Sequence, residues 1–372
     1  VKTKNHYVVL DGLRGVAALT VVAFHLCETY SLGNPFAQVI NHGYLAVDFF
    51  FLLSGFVVAY AYDDRWGLQP AQALQPAQAS MTQWDFYKRR LIRLQPMVVM
   101  GSLIGAALFY FQSGPEFSLV ATTPVWKLLV VMLIGFTLIP VPSALDIRGW
   151  SEMHPLNGPA WSLFFEYIAN LLYGIGIRRL SNRVLGVLVL LAAVYLVDVA
   201  VTSPHNLIGG WSLEPKELRI GFARVLFPFF AGVLLMRLGW LVQIRHSFAI
   251  CSLLLVGVLA LPRFGDPQNF WVNGVYESIT VILIFPLIVA LGAGEKRVDG
   301  VSIRIARFFG DLSYPLYITH YPLIYVYTAW VARDKVPASS GAPVATLVFV
   351  AAVVIAYACL KLYDEPVRRR LT

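Results

Sequence analysis

Asp11, Arg14 and His25 stand in the stretch LDGLRGVAALTVVAFHL, Leu10 to Leu26, which is otherwise largely apolar. An imidazole titrates near neutral pH and a guanidinium stays charged, so these types could move a proton and hold an anion. Read as a helix, at about 100° and 1.5 Å per residue, Arg14 and His25 share one face about 16 Å apart. Asp11, three residues before Arg14, lies on that face and is close enough to pair with it. Further ionisable residues sit in other apolar runs: Asp48 in AVDFFFLLSGF, Glu166 in NGPAWSLFFEYIANLLYG and His320 in LSYPLYITHYPLI. Arg90 and Arg93, in FYKRRLIRLQP, project the same way, and guanidinium forks suit phosphate oxygens. Plainer readings exist for each. Asp11 and Arg14 may be read as an internal salt bridge, His25 as a satisfied interfacial histidine, and the arginines as positive-inside anchors. Tyr317 and Tyr321 read as interface aromatics, which leaves His320 as the candidate of its segment, in a supporting place. Glu365 and Arg368 read as a structural pair.

The elements that must position these residues follow from composition. Of 372 residues, 58% are hydrophobic and only 13% charged, too few charges to coat a soluble domain. The apolar residues fall in long runs, which predicts an all-α, polytopic transmembrane bundle. Candidate spans are 7–27, 44–62, 94–112, 124–141, 159–177, 184–202, 220–240, 247–262, 275–293, 308–330 and 343–363. Ionisable side chains inside such spans face the bundle interior or a water-filled cavity, so several on different helices point to a path or a site. Basic clusters at Lys2 and Lys4, Lys88 to Arg93, Arg178 to Arg183, Arg237 and Arg245, Lys296 to Arg307 and Arg368 to Arg370 predict the inner side. Both ends inside require an even number of crossings, so about ten spanning helices are expected. The segment 124–141, with Lys127 and bracketing prolines, would then be re-entrant or interfacial. Alternatively, Arg178 to Arg183 faces outward.

The chain reads as a single transmembrane domain, 1–372. Within it, 64–82 is a cytoplasmic spacer holding two copies of LQPAQA. The net charge of +8 comes from short loop clusters, so no nucleic-acid partner is expected. Cys27, Cys251 and Cys359 are far apart in apolar runs, which predicts neither disulfides nor a metal site. No cleavable signal peptide is expected.

Six segments, LDGLRGVAALTVVAFH, AVDFFFLLSGF, FYKRRLIRLQP, WSLFFE, LSYPLYITHYPL and YDEPVRRRL, resemble the acyltransferase 3 family of integral-membrane proteins in order and spacing. The resemblance runs from about residue 7 to 370. Its most specific parts are Arg14 with His25 ten residues beyond it, and Arg90 with Arg93. It implies about ten helices with both termini cytoplasmic in a bacterial inner membrane. It also implies transfer of an acyl group, acetyl most often, from acyl-CoA to an acceptor. The expected partners are acetyl-CoA as co-substrate, a carbohydrate acceptor or its lipid-linked precursor, and membrane lipid, with no metal. His25 would be the essential histidine, Arg14 its motif partner, and Arg90 with Arg93 the site of the CoA head group. Asp11, Asp48, Glu166 and His320 would be supporting polar residues. After WSL the family often has two adjacent acids, whereas here Phe164 and Phe165 precede a single Glu166. Some members carry a C-terminal esterase-like domain, which the sequence read to Thr372 does not contain.

Under that resemblance, His25 supplies a base near neutral pH for the acceptor hydroxyl, or carries the acyl group transiently. Arg14 would guide the thioester or steady charge on a tetrahedral intermediate. Two other functions stay open: acylation of a macrolide or other small lipophilic metabolite, and transport of a glycan intermediate. No internal symmetry of the kind common in transporters is visible.

Overall fold

The structure, a computed structural model, describes residues 7–31, 34–38, 40–66, 81–295 and 300–371. The LQPAQA repeat, Lys2, Lys4, Lys296 and Arg297 lie outside the described residues. Among the described residues every extended element is helical, and two isolated β-bridges are the only strand-like pairings. The helices are α1 (Val8–Glu28), α2 (Ala46–Tyr62), α3 (Gln83–Leu108), α4 (Val125–Thr137), α5 (Ala160–Ile175), α6 (Asn182–Thr202) and α7 (Pro215–Leu238). They continue with α8 (Ser247–Ala260), α9 (Trp271–Ile279), α10 (Phe285–Gly294), α11 (Gly300–Thr319), α12 (Tyr321–Asp334), α13 (Ala338–Cys359) and α14 (Glu365–Leu371).

Seven helical stretches among the described residues are long and apolar enough to cross a bilayer, those containing α1, α2, α3, α6, α7, α9–α10 and α13–α14. The chain is a membrane-spanning helical bundle. Helix α4 has 13 residues, about 20 Å at 1.5 Å per residue against a hydrocarbon core of about 30 Å. It occupies the segment expected to be re-entrant or interfacial.

Prolines set three irregularities. Two π-helical turns, Thr280–Ile284 and Leu360–Asp364, each end two residues before a proline, Pro286 and Pro366. A proline has no N–H and its ring crowds the carbonyl four residues back, which a wider turn relieves. The third irregularity divides the expected span 308–330 into α11 and α12. Pro322, in the first turn of α12, cannot donate to the carbonyl of Ile318. The side-chain amide of Asn157 donates to that carbonyl instead, at 2.8 Å. The break therefore also fastens the α4–α5 connection to the bundle.

At the centre, α1 lies along α11 and α2 along α7. Close approach in lipid relies on small residues, because tails offer no hydrophobic drive for helix association. A Cβ on Gly15 would strike the Phe309 carbonyl, and one on Gly310 would lie 2.7 Å from the Asp11 Cβ. Helix α1 thereby meets α11 at backbone distance, with Leu10, Leu13, Ala17 and Val21 buried. Helix α14 packs on α3, so both ends of the described chain lie at one end of the bundle, beside Arg90 and Arg93.

Candidate active site

A cavity of about 340 Å³ opens at that end of the bundle, between α1, α2, α3, α5 and α11. It collects Asp11, Arg14, Arg90, Arg93 and Glu166, five of the residues singled out from the sequence. The expected pair forms, with Arg14 Nη2 2.9 Å from Asp11 Oδ1. Arg14 Nε also donates to Ser313 Oγ at 2.8 Å, and Nη2 to the Gly310 carbonyl at 3.4 Å. The close α1–α11 crossing thus fixes this guanidinium. Arg90 pairs with Glu166 at 2.6 Å, and Ser54 donates to the same carboxylate oxygen at 2.7 Å. The single acid of WSLFFE therefore holds Arg90. Arg93 is exposed and has no ion-pair or hydrogen-bond partner among the described residues. A guanidinium held in a cavity by neighbours yet unpaired is a site for an anion.

A second cavity, about 860 Å³, lies further along α1, bounded by α5, α7, α11, α12 and the connections entering α5 and α7. His25 lines it, so Arg14 and His25 share a helix but open into different spaces. The walls are aromatic, including Trp150, Trp161, Trp211 and Tyr321, with Glu28 and Glu152 among them. His25 Nδ1 lies 2.8 Å from Glu28 Oε2. The edge of Tyr321 meets the ring at 4.7 Å between centroids, and His320 stacks on it at 5.7 Å. His320 Nδ1 reaches the carbonyls of Leu316 at 3.0 Å and Tyr317 at 2.9 Å. Two acceptors require Nδ1 to carry the hydrogen. His320 is buried behind His25 and does not line the cavity.

The two cavities have two lining residues in common, Val47 and Tyr317. Tyr317 is buried, with Phe50 of the arginine cavity edge-on at 5.3 Å. Its hydroxyl lies 2.7 Å from Ser162 Oγ and donates to the Pro159 carbonyl at 3.1 Å. Ser162 faces the arginine cavity and Pro159 the aromatic one, so Tyr317 is a partition between them.

Asp48 does not join the arginines. Its partner is Arg224 of α7, at 2.7 Å, and both are buried. Arg224 also donates to the carbonyls of Tyr44 at 2.7 Å and Gly209 at 3.2 Å, and lies over Trp161 at 5.0 Å. Asp48 therefore braces the wall of the aromatic cavity. Arg148, fully buried, lies 3.5 Å from the Tyr325 ring centroid and 3.3 Å from Glu152. Tyr325 donates to both Glu152 oxygens, at 2.7 and 2.8 Å. Glu152 lies in the α4–α5 connection, outside the spanning helices, and burial pushes its carboxyl up to about 7.

Sequence reading missed Glu28, Arg224 and Glu152. An arginine in the middle of an apolar run signals Arg224, and an acid three residues after a candidate histidine signals Glu28. Glu152 lies in a polar loop and carries no such signal. Reading Tyr317 and Tyr321 as interface aromatics is corrected: both line the aromatic cavity, because the break at Pro322 turns the chain there. The expected Glu365–Arg368 pair is also corrected. Arg368 pairs with Asp364 at 2.6 Å, one helical turn back, and Glu365 is approached by Lys361 and Arg369.

Comparison with known proteins agrees with this arrangement. The curated relatives include Protein 2 in picA locus of Rhizobium radiobacter, 32% identical over 206 residues, covering 53% of this chain and 96% of that protein. The putative peptidoglycan O-acetyltransferase YrhL of Bacillus subtilis is 24% identical across 88% of this chain and 50% of its own length. O-acetyltransferase OatA of Staphylococcus aureus is 23% identical across 88% of this chain and 52% of its own length. The chain thus spans about half the length of these two O-acetyltransferases. No solved structure matches. The family model described as an acyltransferase domain matches residues 7–361, from the entry to α1 through the last π turn, and the chain belongs to this acyltransferase 3 family.

Proposed function

We propose that the chain is an integral-membrane O-acyltransferase of the bacterial inner membrane, with both termini cytoplasmic. It takes an acetyl group from cytoplasmic acetyl-CoA. The acceptor is a hydroxyl of a surface or exported polysaccharide, or of its lipid-linked precursor. The observation that carries this reading is the division of α1: Arg14 opens into an arginine cavity, His25 into an aromatic one, and the two meet at Tyr317. A donor with a polyanionic head and a slim reactive arm suits such a pair of spaces. Arg90 and Arg93 hold the phosphates, and the acyl-pantetheine arm runs past Arg14 toward His25. The names of YrhL and OatA support acetyl transfer to oxygen.

The transfer needs one base and no net proton uptake. His25 Nε2 takes the acceptor O–H proton as the oxygen attacks the thioester carbonyl carbon. The tetrahedral oxyanion collapses, the C–S bond breaks, and the CoA thiolate takes the proton from the imidazolium. If Nε2 attacks the thioester first, the same atom carries the acetyl group before the acceptor arrives. Aromatic rings such as Trp161 and Trp211 fit the C–H faces of a sugar. The same lining favours a second reading, a small lipophilic acceptor.

Membranes holding the native chain or His25→Ala, supplied with radiolabelled acetyl-CoA, test this. The native chain should label polysaccharide, and His25→Ala should lower the rate about 10²–10⁴-fold at equal protein level. Label in a solvent-extractable product instead would favour the lipophilic acceptor. Undiminished transfer by His25→Ala would remove His25 from the chemistry.

A further inference from the structure

Glu28 ends α1 three residues after His25, on the same helix face, and lines the same aromatic cavity. Its Oε2 lies 2.8 Å from His25 Nδ1, although its side chain is 43% exposed. The imidazole it meets is otherwise confined by rings: Phe24 at 5.0 Å, Tyr321 at 4.7 Å and His320 at 5.7 Å between centroids. Those contacts limit the tilt of the ring but do not choose which nitrogen carries the hydrogen. A carboxylate can only accept, so its contact makes Nδ1 the donor. The last turn is itself tied down, since Ser31 donates from both N and Oγ to the Glu28 carbonyl, at 2.9 and 2.8 Å. His320 cannot take over the task, because its Nδ1 hydrogen is committed to two α11 carbonyls.

We propose that Glu28 is a positioning residue that locks His25 in the Nδ1–H tautomer and leaves Nε2 as the atom that meets the acceptor hydroxyl. This deepens the acyl-transfer reading and rests on it for its catalytic consequence. The carboxylate holds the ring while Nε2 gains and releases a proton, and it exchanges none itself.

The experiment uses the full chain in phospholipid nanodiscs with ¹⁵N-labelled histidine, the His25 signals being assigned by their loss in His25→Asn. Native protein should show a protonated Nδ1 and an unprotonated Nε2. Glu28→Gln, whose amide oxygen can still accept, should keep that tautomer, and Glu28→Ala should give a mixture. A native His25 protonated at Nε2, or an unaltered Glu28→Ala spectrum, overturns the proposal. In parallel, kcat for acetyl transfer should fall about 10–100-fold in Glu28→Ala, with KM for both substrates within about twofold and a smaller loss in Glu28→Gln. A raised acceptor KM at unchanged kcat also overturns it, because Glu28 would then bind the acceptor. Absence of transfer by the native chain would sink the transferase reading alone, since the spectra decide the tautomer without turnover.

Discussion

Asp48 and Arg224, beside the aromatic cavity, are 0% and 2% exposed, and Arg224 has its donors committed to Asp48 and two carbonyls. Asp11 and Arg14, at the arginine cavity, are 21% and 23% exposed, and their neighbour Arg93 has no partner among the described residues. The same residue types, all within apolar helices, thus stand in opposite states. One set is a closed frame that shapes a wall, and the other is an open set able to receive an anion. Charge within a span therefore does not by itself mark a substrate contact. What decides is whether the hydrogen bonds around it are already complete.

The sharpest way to break this contrast is to neutralise one carboxylate in each set. Asp48→Asn leaves a buried guanidinium without its counter-charge, a loss of about 3–5 kcal/mol. Asp11→Asn touches a partly exposed pair and should lose about 1 kcal/mol or less. Thermal denaturation of purified protein in detergent compares the two, and equal losses would erase the distinction.

Glu152 gives the next largest effect, read as a dependence on pH. Its carboxyl is raised from 4.5 to about 7 by burial, against the opposing pull of Arg148. The folded state therefore binds more protons than the unfolded one between those two values. Stability from this group is full below about 4.5 and is lost as pH rises towards 7, by at most about 3 kcal/mol. Glu152→Gln should flatten that slope, whatever its effect on absolute stability. A native melting temperature that rises across this window in step with the variant's would contradict the assignment.

Arg93 tests the open set directly. Arg93→Ala removes an unpaired guanidinium and should raise KM for acetyl-CoA about tenfold, the equivalent of about 1.4 kcal/mol, with kcat nearly unchanged. The loss should shrink as salt is added, because a phosphate contact at an open mouth is screened. A fall in kcat at constant KM would move Arg93 from binding to chemistry.

How much of this was legible in the sequence follows the range of each signal. The Asp11–Arg14 pair could be read because i,i+3 spacing within one helix fixes it locally. The grouping of Arg14, Arg90, Arg93 and Glu166 rested on family resemblance, and the structure brings them into one cavity. The shared face of Arg14 and His25 suggested one continuous path. Two cavities result because Tyr317, from α11, enters between them, and helix periodicity carries no information about a neighbouring helix. The pairing of Asp48 with Arg224 was hidden for the same reason, since 176 residues separate them. Proline positions were visible, yet the division of 308–330 at Pro322 depends on Asn157 satisfying the Ile318 carbonyl from a distant loop.

The smallest effect concerns the partition itself. Tyr317 and Ser162 share a hydrogen bond of 2.7 Å, and each reaches the Pro159 carbonyl at 3.1 Å. Tyr317→Phe keeps the ring and its edge contact with Phe50 but removes the hydroxyl that ties it to both cavities. Each lost bond is worth about 0.5–1.5 kcal/mol, so a ring that must move aside to admit the thioester should do so several-fold more often. With acetyl-CoA and no acceptor, water from the aromatic cavity then reaches the thioester, releasing acetate and free CoA thiol. Thiol release should rise about threefold to tenfold, while transfer with saturating acceptor changes little. Ser162→Ala should give a weaker form of the same result, because Tyr317 keeps its bond to Pro159. An unchanged rate of thiol release in both variants would mean that packing of the ring, not its hydroxyl, keeps the two cavities apart. The difference between an open anion site and a closed aromatic chamber would then rest on α11 as a whole.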